Sequence, residues 1–353
     1  MDFNKLLIVL SSSILCAMKY MDTTQRKLLI VVDDHGFYCG LLSIGDIQRA
    51  ILHGMPLDRE ISEVLRSDYI IAKPEDSKDE IKKIMLFIRA EFMPVVNEQR
   101  EIVDVIFWED IFEKEKPIPI DKFDLPVVIM AGGYGSRVRP LTNVFPKPLL
   151  PIGEKSMLEE IFSRFYYYGS KRFYISVNYK AELIEFYLSN QNLPYSIEYF
   201  KEEKPLGTAG SLHLLRGKLD SAFFVSNCDI LIDQDYSAIL QYHREQKNEI
   251  TLVSALKNID IPYGTLNTGM NGVLESLSEK PSFTFQLNSG MYILEPSVLN
   301  DIPENEFFHI TQLIEKLMIE KRKVGVFPVS EKSWLDMGTL NDYIKIITMQ
   351  NNL

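Results

Sequence analysis

The chain has 353 residues, enough for two or three domains of ordinary size. Its 46% hydrophobic and 25% charged residues fall in the globular range and exclude wholesale disorder. A net charge of −11, with no basic stripe to oppose it, excludes a nucleic-acid partner, whereas anionic small substrates need only a few well-placed lysines, arginines and backbone amides.

The apolar run Leu6–Leu10 is short and no small-residue cleavage signal follows it, so a signal peptide is not expected. No stretch reaches the ~18 consecutive apolar residues of a membrane span. Cys16, Cys39 and Cys228 have neither metal-ligand spacing nor a paired framework, and read as free thiols in a reducing compartment. A cytoplasmic protein without a membrane partner is the resulting expectation.

The first third reads as one small unit written twice. A helical stretch at Ile14–Met21 precedes the apolar run Lys27–Asp33, a turn at Asp34-His35-Gly36, a second strand Gly40–Ser43 and a helix opening near Asp46. The helix Asp79–Ile88, the strand Met93–Asn97, the turn Glu98–Arg100, the strand Ile102–Ile106 and a helix near Asp110 repeat that order about 64 residues later. With Val31-Val32-Asp33 and Gly40-Leu41-Leu42-Ser43-Ile44-Gly45-Asp46, the region resembles a tandem pair of cystathionine-β-synthase-type (CBS) domains, 1–60 and 61–116. The resemblance implies an α+β pair that holds an adenine nucleotide, with Ser43 and Asp46 on the ribose in the first copy and Asp110 in the second. The second copy departs from the pattern at Phe107, where a Ser or Thr is usual. Two alternatives stay open: the aspartates simply cap their helices, and the pair serves as a dimerisation platform. Either way a homo-oligomer, simplest a dimer, is expected.

The charged, proline-bearing stretch Glu113–Ile120 reads as a linker, bounded at 117–124. From 125 to 353, short apolar strands (Val127–Met130, Arg172–Val177, Ala222–Ser226, Ile250–Ala255) alternate with helical patterns such as Met157–Tyr168. That alternation predicts an α/β domain with a mixed, mainly parallel sheet.

Strand Val127–Met130 runs into Ala131-Gly132-Gly133-Tyr134-Gly135-Ser136-Arg137. Glycines there let backbone amides approach phosphate oxygens and adopt positive φ, and Arg137 adds a planar donor fork. The dinucleotide fingerprint fails at Val138, and the Walker A sequence is absent. Lys147 follows between Pro146 and Pro148, whose fixed backbone holds its ammonium beside the loop. By itself this is a polyphosphate site. Further on, Phe223–Asp229 reads as a buried strand ending in a carboxylate, where α/β proteins bind ligands.

The stretch from Leu125 to Tyr343 resembles the sugar-phosphate nucleotidyltransferase (pyrophosphorylase) family, with its G-G-x-G-[ST]-R loop and P-K-P segment, and a Rossmann-like fold. The resemblance puts Ala131, Gly132, Gly133, Gly135, Ser136 and Arg137 around a triphosphate, with Arg137 and Lys147 offsetting charge on the reacting phosphates. Pro205-Leu206-Gly207-Thr208-Ala209-Gly210 passes beside the nucleobase, with Glu202 at a base-facing position. A carboxylate there can accept from both guanine N1–H and N2–H, which favours GTP over dTTP, CTP, UTP or ATP. Asp229 and Asp336 match the family's magnesium ligands, and one or two carboxylates suffice for that ion. Cys228 reads as a small core residue rather than a nucleophile. Tyr263-Gly264, Glu279-Lys280-Pro281 and Asn288 match the acceptor segments, with Lys280 on the sugar 1-phosphate.

The implied enzyme transfers a nucleotidyl group from an NTP to a sugar 1-phosphate with Mg²⁺, releasing pyrophosphate. Arg137, Lys147, Asp229 and Lys280 carry the reaction, and the CBS-type pair regulates it. CBS-fused members point to an amino-sugar or heptose phosphate destined for surface glycans. A non-catalytic sugar-nucleotide-binding subunit is the alternative of another class, which loss of Arg137, Lys147, Asp229 or Asp336 would have favoured. No hexapeptide repeat follows Asp336, so an appended β-helix with acetyltransferase activity is not expected.

Overall fold

The computed structural model describes residues 3–66, 71–88, 90–108 and 121–351. The chain divides into two compact units, Met1–Ile118 and Pro119–Leu353.

The N-terminal unit contains β1 (Leu7–Val9), α1 (Ile14–Thr24), β2 (Leu28–Val32), β3 (Tyr38–Ser43), α2 (Ile44–Leu52), α3 (Lys78–Ile88), β4 (Phe92–Val96) and β5 (Ile102–Phe107). Each bound of α3, β4 and β5 lies 64 residues after the matching bound of α1, β2 and β3. The repeat extends to single pairings. The parallel pair Ile8↔Val31 recurs as the parallel bridge Ala72↔Val95.

Ser13 opens α1 by accepting the Cys16 N–H at 3.1 Å, and the helix runs three residues beyond Met21 before Gln25 ends it in a left-handed conformation. The two copies meet through hydrogen bonds, one of them between the equivalent positions 27 and 91. Lys27 donates its N–H to the Glu91 carboxylate at 3.3 Å, and Tyr38 donates to the Arg100 carbonyl at 2.8 Å. Ile30 and Val32 of one copy share a core with Phe92, Val96 and Phe107 of the other. A three-stranded or two-stranded sheet has too little apolar area to stand alone, so the copies stabilise each other.

The second unit is built on a seven-stranded sheet. The strands of the unit, in that sheet and in three two-stranded ladders, are β6 (Val127–Met130), β7 (Pro151–Ile152), β8 (Lys155–Ser156), β9 (Arg172–Val177), β10 (Ser196–Lys201), β11 (Phe223–Asn227), β12 (Ile230–Ile232), β13 (Ile250–Asp260), β14 (Thr265–Thr268), β15 (Leu274–Ser278), β16 (Ser282–Leu294), β17 (Val324–Ser330) and β18 (Trp334–Asp336). The main sheet has the order β10-β9-β6-β11-β16-β13-β17. Only the pairings of β16 are antiparallel, so the sheet is mixed and mainly parallel, as the strand–helix alternation predicts.

Central strand β6 is buried throughout Val127, Val128 and Ile129, the expected pattern for a strand covered on both faces. The helix Met157–Tyr167 opens with a capping box, Ser156 accepting from Glu159 N–H while the Glu159 carboxylate accepts the Ser156 N–H at 2.8 Å. Its Phe162 and Phe165 rings lie 4.7 Å from Phe173 and 5.2 Å from Phe224, which fixes it against β9 and β11. Such ring pairs add about 0.5–1.5 kcal/mol each beyond area burial.

β6 and β11 run parallel side by side, with Met130 opposite Asn227. The chain therefore leaves both strands at one carboxyl edge, and the glycine loop emerges beside Asp229. Among the described residues, no helix is long and apolar enough to cross a membrane.

Candidate active site

Two cavities open at that edge. The first, about 350 Å³, is lined by the loop residues Gly132, Gly133, Gly135, Ser136 and Arg137, by Lys147 and Asp229, and by Glu202, Pro205, Gly207 and Thr208. The second, about 310 Å³, is lined by Asn288, Asp336, His309 and Thr311. Arg137, Thr208, Asn227 and Asp229 line both. The junction thus carries a guanidinium, a carboxylate and two neutral polar side chains.

Of the three loop glycines, only Gly135 takes a positive φ, at 62°. A Cβ there would also lie 2.9 Å from the Thr142 methyl and 3.1 Å from Lys147 Cβ. Thr142, itself buried, donates its hydroxyl to the Gly135 carbonyl at 2.9 Å, so the P-K-P segment folds directly onto the loop. Lys147 sits in a short 3₁₀ turn, Lys147–Leu149, entered through Pro146, and is only 6% exposed. A buried ammonium needs partners. Lys147 Nζ donates to Asp229 at 2.6 Å and to the Gly338 carbonyl at 3.3 Å.

Asp229 and Asp336 are held across a two-stranded ladder. Ile230 pairs with Asp336, and Met337 N–H donates to the Asp229 carbonyl at 2.8 Å. Burial raises the Asp336 carboxyl above the usual range, the Gly338 N–H at 2.7 Å works against it, and the Asp229 charge raises it further. Two carboxylates at one end of that ladder, both lining a cavity, have the donor chemistry of a divalent-cation site. Burial, then the Asp229 charge, pushes the Cys228 thiol up to about 12, so it stays protonated at neutral pH and is no nucleophile.

Asn288 lies where the β13–β16 register shifts between Leu252 and Ser254. Its side-chain amide oxygen Oδ1 accepts the Gly290 N–H at 3.2 Å, and Gly290 has φ 86°. This bulge turns the strand out of the ladder and opens the second cavity. Asn227, which no sequence motif singled out, lies against it: a Cβ on Gly290 would meet the Asn227 amide at 2.6 Å.

Other expected residues stand elsewhere. Ala131 is buried behind the loop, donating to the Ser176 carbonyl at 3.1 Å, and lines neither cavity. Tyr263, Gly264, Glu279 and Lys280 form an exposed cluster at the base of the β14–β15 hairpin and also line neither cavity. Within that cluster a Cβ on Gly264 would meet the Glu279 carboxylate at 2.9 Å.

Glu202 does line the first cavity, but its carboxylate is turned into the protein. One oxygen accepts the Ser176 hydroxyl and the other the Leu206 N–H at 3.0 Å, and the residue is 8% exposed. Ser176 also contacts the Ser211 hydroxyl at 3.2 Å. Glu202 therefore ties β9 to the loop before Gly207, and in this arrangement both of its oxygens are already engaged by protein groups.

In the N-terminal unit, Ser43 caps α2. Its hydroxyl accepts the Asp46 N–H at 3.2 Å and donates to the Asp46 carboxylate at 2.5 Å. Asp46, 4% exposed, also accepts from Arg66 at 2.6 Å and from Arg49. Phe107, the departure in the second copy, packs against Phe92 with ring centroids 6.0 Å apart. Asp110 lies outside the described residues.

A mainly parallel α/β sheet with a glycine loop, a buried lysine and paired aspartates at its carboxyl edge defines a nucleotide-binding enzyme fold. The chain belongs to the nucleotidyl transferase family, whose sequence model matches residues 126–352. It is 33% identical over 226 residues to a mannose-1-phosphate guanyltransferase of Hypocrea jecorina and 29% over 225 residues to a mannose-1-phosphate guanylyltransferase of Mycobacterium tuberculosis. Each match covers 62% of this chain and 62% of the relative's own length. The crystal structure of HddC from Yersinia pseudotuberculosis is 25% identical with a TM-score of 0.51, covering 64% of this chain and 99% of that one.

Proposed function

We propose that the second unit transfers a guanylyl group from GTP to a sugar 1-phosphate and releases pyrophosphate. The observation that carries this reading is the pair of cavities meeting at Arg137, Thr208, Asn227 and Asp229. A nucleoside triphosphate along the glycine loop and a sugar 1-phosphate in the cavity lined by Asn288 would bring the attacking oxygen and the α-phosphorus together at that junction.

The attacking phosphate oxygen is already anionic, so no general base is required. The barrier lies in approach of two polyanions and in charge gathered on the transferring group. Arg137 and Lys147 oppose that charge, and the loop amides orient the phosphates. Asp229 and Asp336 fit a Mg²⁺ ion, which when bound supplies charge neutralisation at the phosphates. Guanine is favoured by the relatives, both named as guanyltransferases, rather than by Glu202. Their acceptor, mannose 1-phosphate, is the first to test, with heptose and amino-sugar 1-phosphates beside it. Retention of Arg137, Lys147, Asp229 and Asp336 speaks against a silent binding subunit.

A matrix of GTP, dTTP, CTP, UTP and ATP against these sugar phosphates, scored by pyrophosphate release, tests the reading. It fails if every GTP combination stays at background.

For the N-terminal unit we propose a CBS-type pair that adjusts the enzyme through an adenine nucleotide. The residue-for-residue 64-residue repeat supports the pair. The ribose role of Asp46 requires Arg49 or Arg66 to release its carboxylate. Calorimetry of the full chain with AMP separates this from a dimerisation platform: no heat leaves the platform.

A further inference from the structure

Neither cavity is closed by motif residues alone. Between the 3₁₀ turn Pro296–Asp301 and the helix Ile310–Ile319, the chain runs as a strap through Glu304-Asn305-Glu306-Phe307-Phe308-His309. The strap is clamped to the Leu206–Gly210 loop. Phe308 N–H donates to the Leu206 carbonyl at 2.9 Å, and the Phe308 carbonyl accepts the N–H groups of Ala209 and Gly210, both at 3.0 Å. Ile310 N–H donates to the Thr208 hydroxyl at 3.0 Å, and His309 Nδ1 lies 3.3 Å from that same oxygen. No side chain fits beneath: a Cβ on Gly207, whose φ is 83°, would lie 2.7 Å from the Phe308 carbonyl oxygen.

These bonds decide where the strap's side chains go. Phe308 packs against the core, while Phe307 on one side of it is 60% exposed and lines the loop cavity beside Glu202, Pro205 and Gly207. On the other side, His309 lines the Asn288 cavity. The two rings meet edge-on, with centroids 4.7 Å apart and planes at 80°. An exposed phenyl ring on a rigid backbone, in the wall of a nucleotide cavity, costs apolar surface in water that a stacked base would cover.

Resting on the nucleotidyl-transfer reading, we propose that this strap is a wall shared by both substrates: Phe307 is the aromatic platform on which the donor's base stacks, and His309 is its counterpart against the acceptor. Every base presents a π-face, so stacking on Phe307 adds affinity without choosing guanine. The platform and whatever reads the base are therefore separable.

The test uses the full chain and variants F307A, F307W and H309A. Calorimetry with GTP and with UTP is run in the absence of sugar phosphate, followed by KM for the sugar 1-phosphate found to react. F307A is expected to weaken both nucleotides by the same factor, about tenfold or more, with F307W close to wild type. H309A is expected to raise the KM for the sugar phosphate several-fold while GTP affinity stays put. Phe307 is exposed, so unfolding temperatures should match. If wild type binds GTP and F307A binds it equally well, the platform is wrong; if H309A leaves the acceptor KM unchanged, the shared wall is wrong. If wild type binds no nucleotide at all, the functional reading has failed instead.

Discussion

The Lys147 ammonium donates to the Asp229 carboxylate at 2.6 Å, with both side chains largely withdrawn from water at 7% and 15% exposure. The pair joins the P-K-P segment, which follows the glycine loop, to the end of β11. It places one positive and one negative group of the site in register before any substrate arrives. Breaking such a pair by truncating one partner leaves a buried, uncompensated charge, at a cost of about 3–5 kcal/mol.

Lys147→Met and Asp229→Asn should therefore each lower the unfolding temperature of the second unit, while the double variant recovers most of the loss. All three should lose at least about a hundredfold in turnover, since each removes transition-state electrostatics. A double-mutant cycle in thermal unfolding, set beside pyrophosphate release, checks both halves. Independent, additive stability losses would contradict the coupling.

Glu202→Gln separates a base reader from a brace. As a brace, Glu202 holds the Ser176 hydroxyl and the Leu206 N–H, so the amide should weaken all nucleotides alike, by roughly tenfold per lost charged hydrogen bond. As a reader, it would change the ratio of GTP to UTP. Competition binding with the two nucleotides distinguishes the outcomes, and the orientation of the carboxylate predicts an unchanged ratio.

Gly207→Ala should act at a distance from the phosphates. A Cβ at φ 83° and 2.7 Å from the Phe308 carbonyl oxygen forces the loop and strap apart. The expected result is about 1–3 kcal/mol lost from unit stability with a raised KM for both substrates. Denaturant unfolding and steady-state kinetics read the two effects. Gly217→Ala, where φ is also positive at 72° but a Cβ would meet nothing within 4 Å, is the matched control.

The N-terminal unit carries a pH prediction. Burial raises the Asp46 carboxyl, but the hydroxyl and N–H of Ser43 and the Arg66 guanidinium outweigh it, so it lies below the usual range. A lowered carboxyl contributes stability above its ordinary pKa of about 3.9 and loses it as pH falls through the folded value. Asp46→Asn should thus destabilise the N-terminal unit of the full chain at pH 7 by about 1–3 kcal/mol. As pH falls below that ordinary value and through the lower folded one, the difference from wild type should shrink towards zero. A difference that is constant across that range would rule out ionisation as the source.

The features legible in the sequence are those whose signal is local. The 64-residue repeat shows in hydrophobic runs and turn residues, and the strands follow it element by element. Lys147, Asp229 and Asp336 stand in short peptides whose neighbours fix their backbone: two prolines for the lysine, a β-ladder for the aspartates. What escaped depends on contacts between distant segments. The inward turn of Glu202 is set by Ser176 on β9 and by the Leu206 amide, which no spacing rule connects. The glycine run permits positive φ at Gly132 and Gly133 as well, yet of the three only Gly135 uses it. Phe307 and His309 carry no motif, because their exposure follows from how Phe308 bonds to the Leu206–Gly210 loop. The hairpin residues Tyr263 and Lys280 keep their motif but line neither cavity, since side-chain placement on a hairpin depends on the arm's orientation rather than on its sequence.

Guanylyl transfer as proposed requires attack on the α-phosphorus of GTP at the junction of the two cavities. GTP labelled with ³²P at the α- or at the γ-position, incubated with Mg²⁺ and mannose 1-phosphate or another accepted sugar 1-phosphate, decides it directly. The α-label should enter the sugar nucleotide and the γ-label should leave as pyrophosphate, in equal amounts. Release of the γ-label as orthophosphate, or an α-label that never joins a sugar, would contradict it.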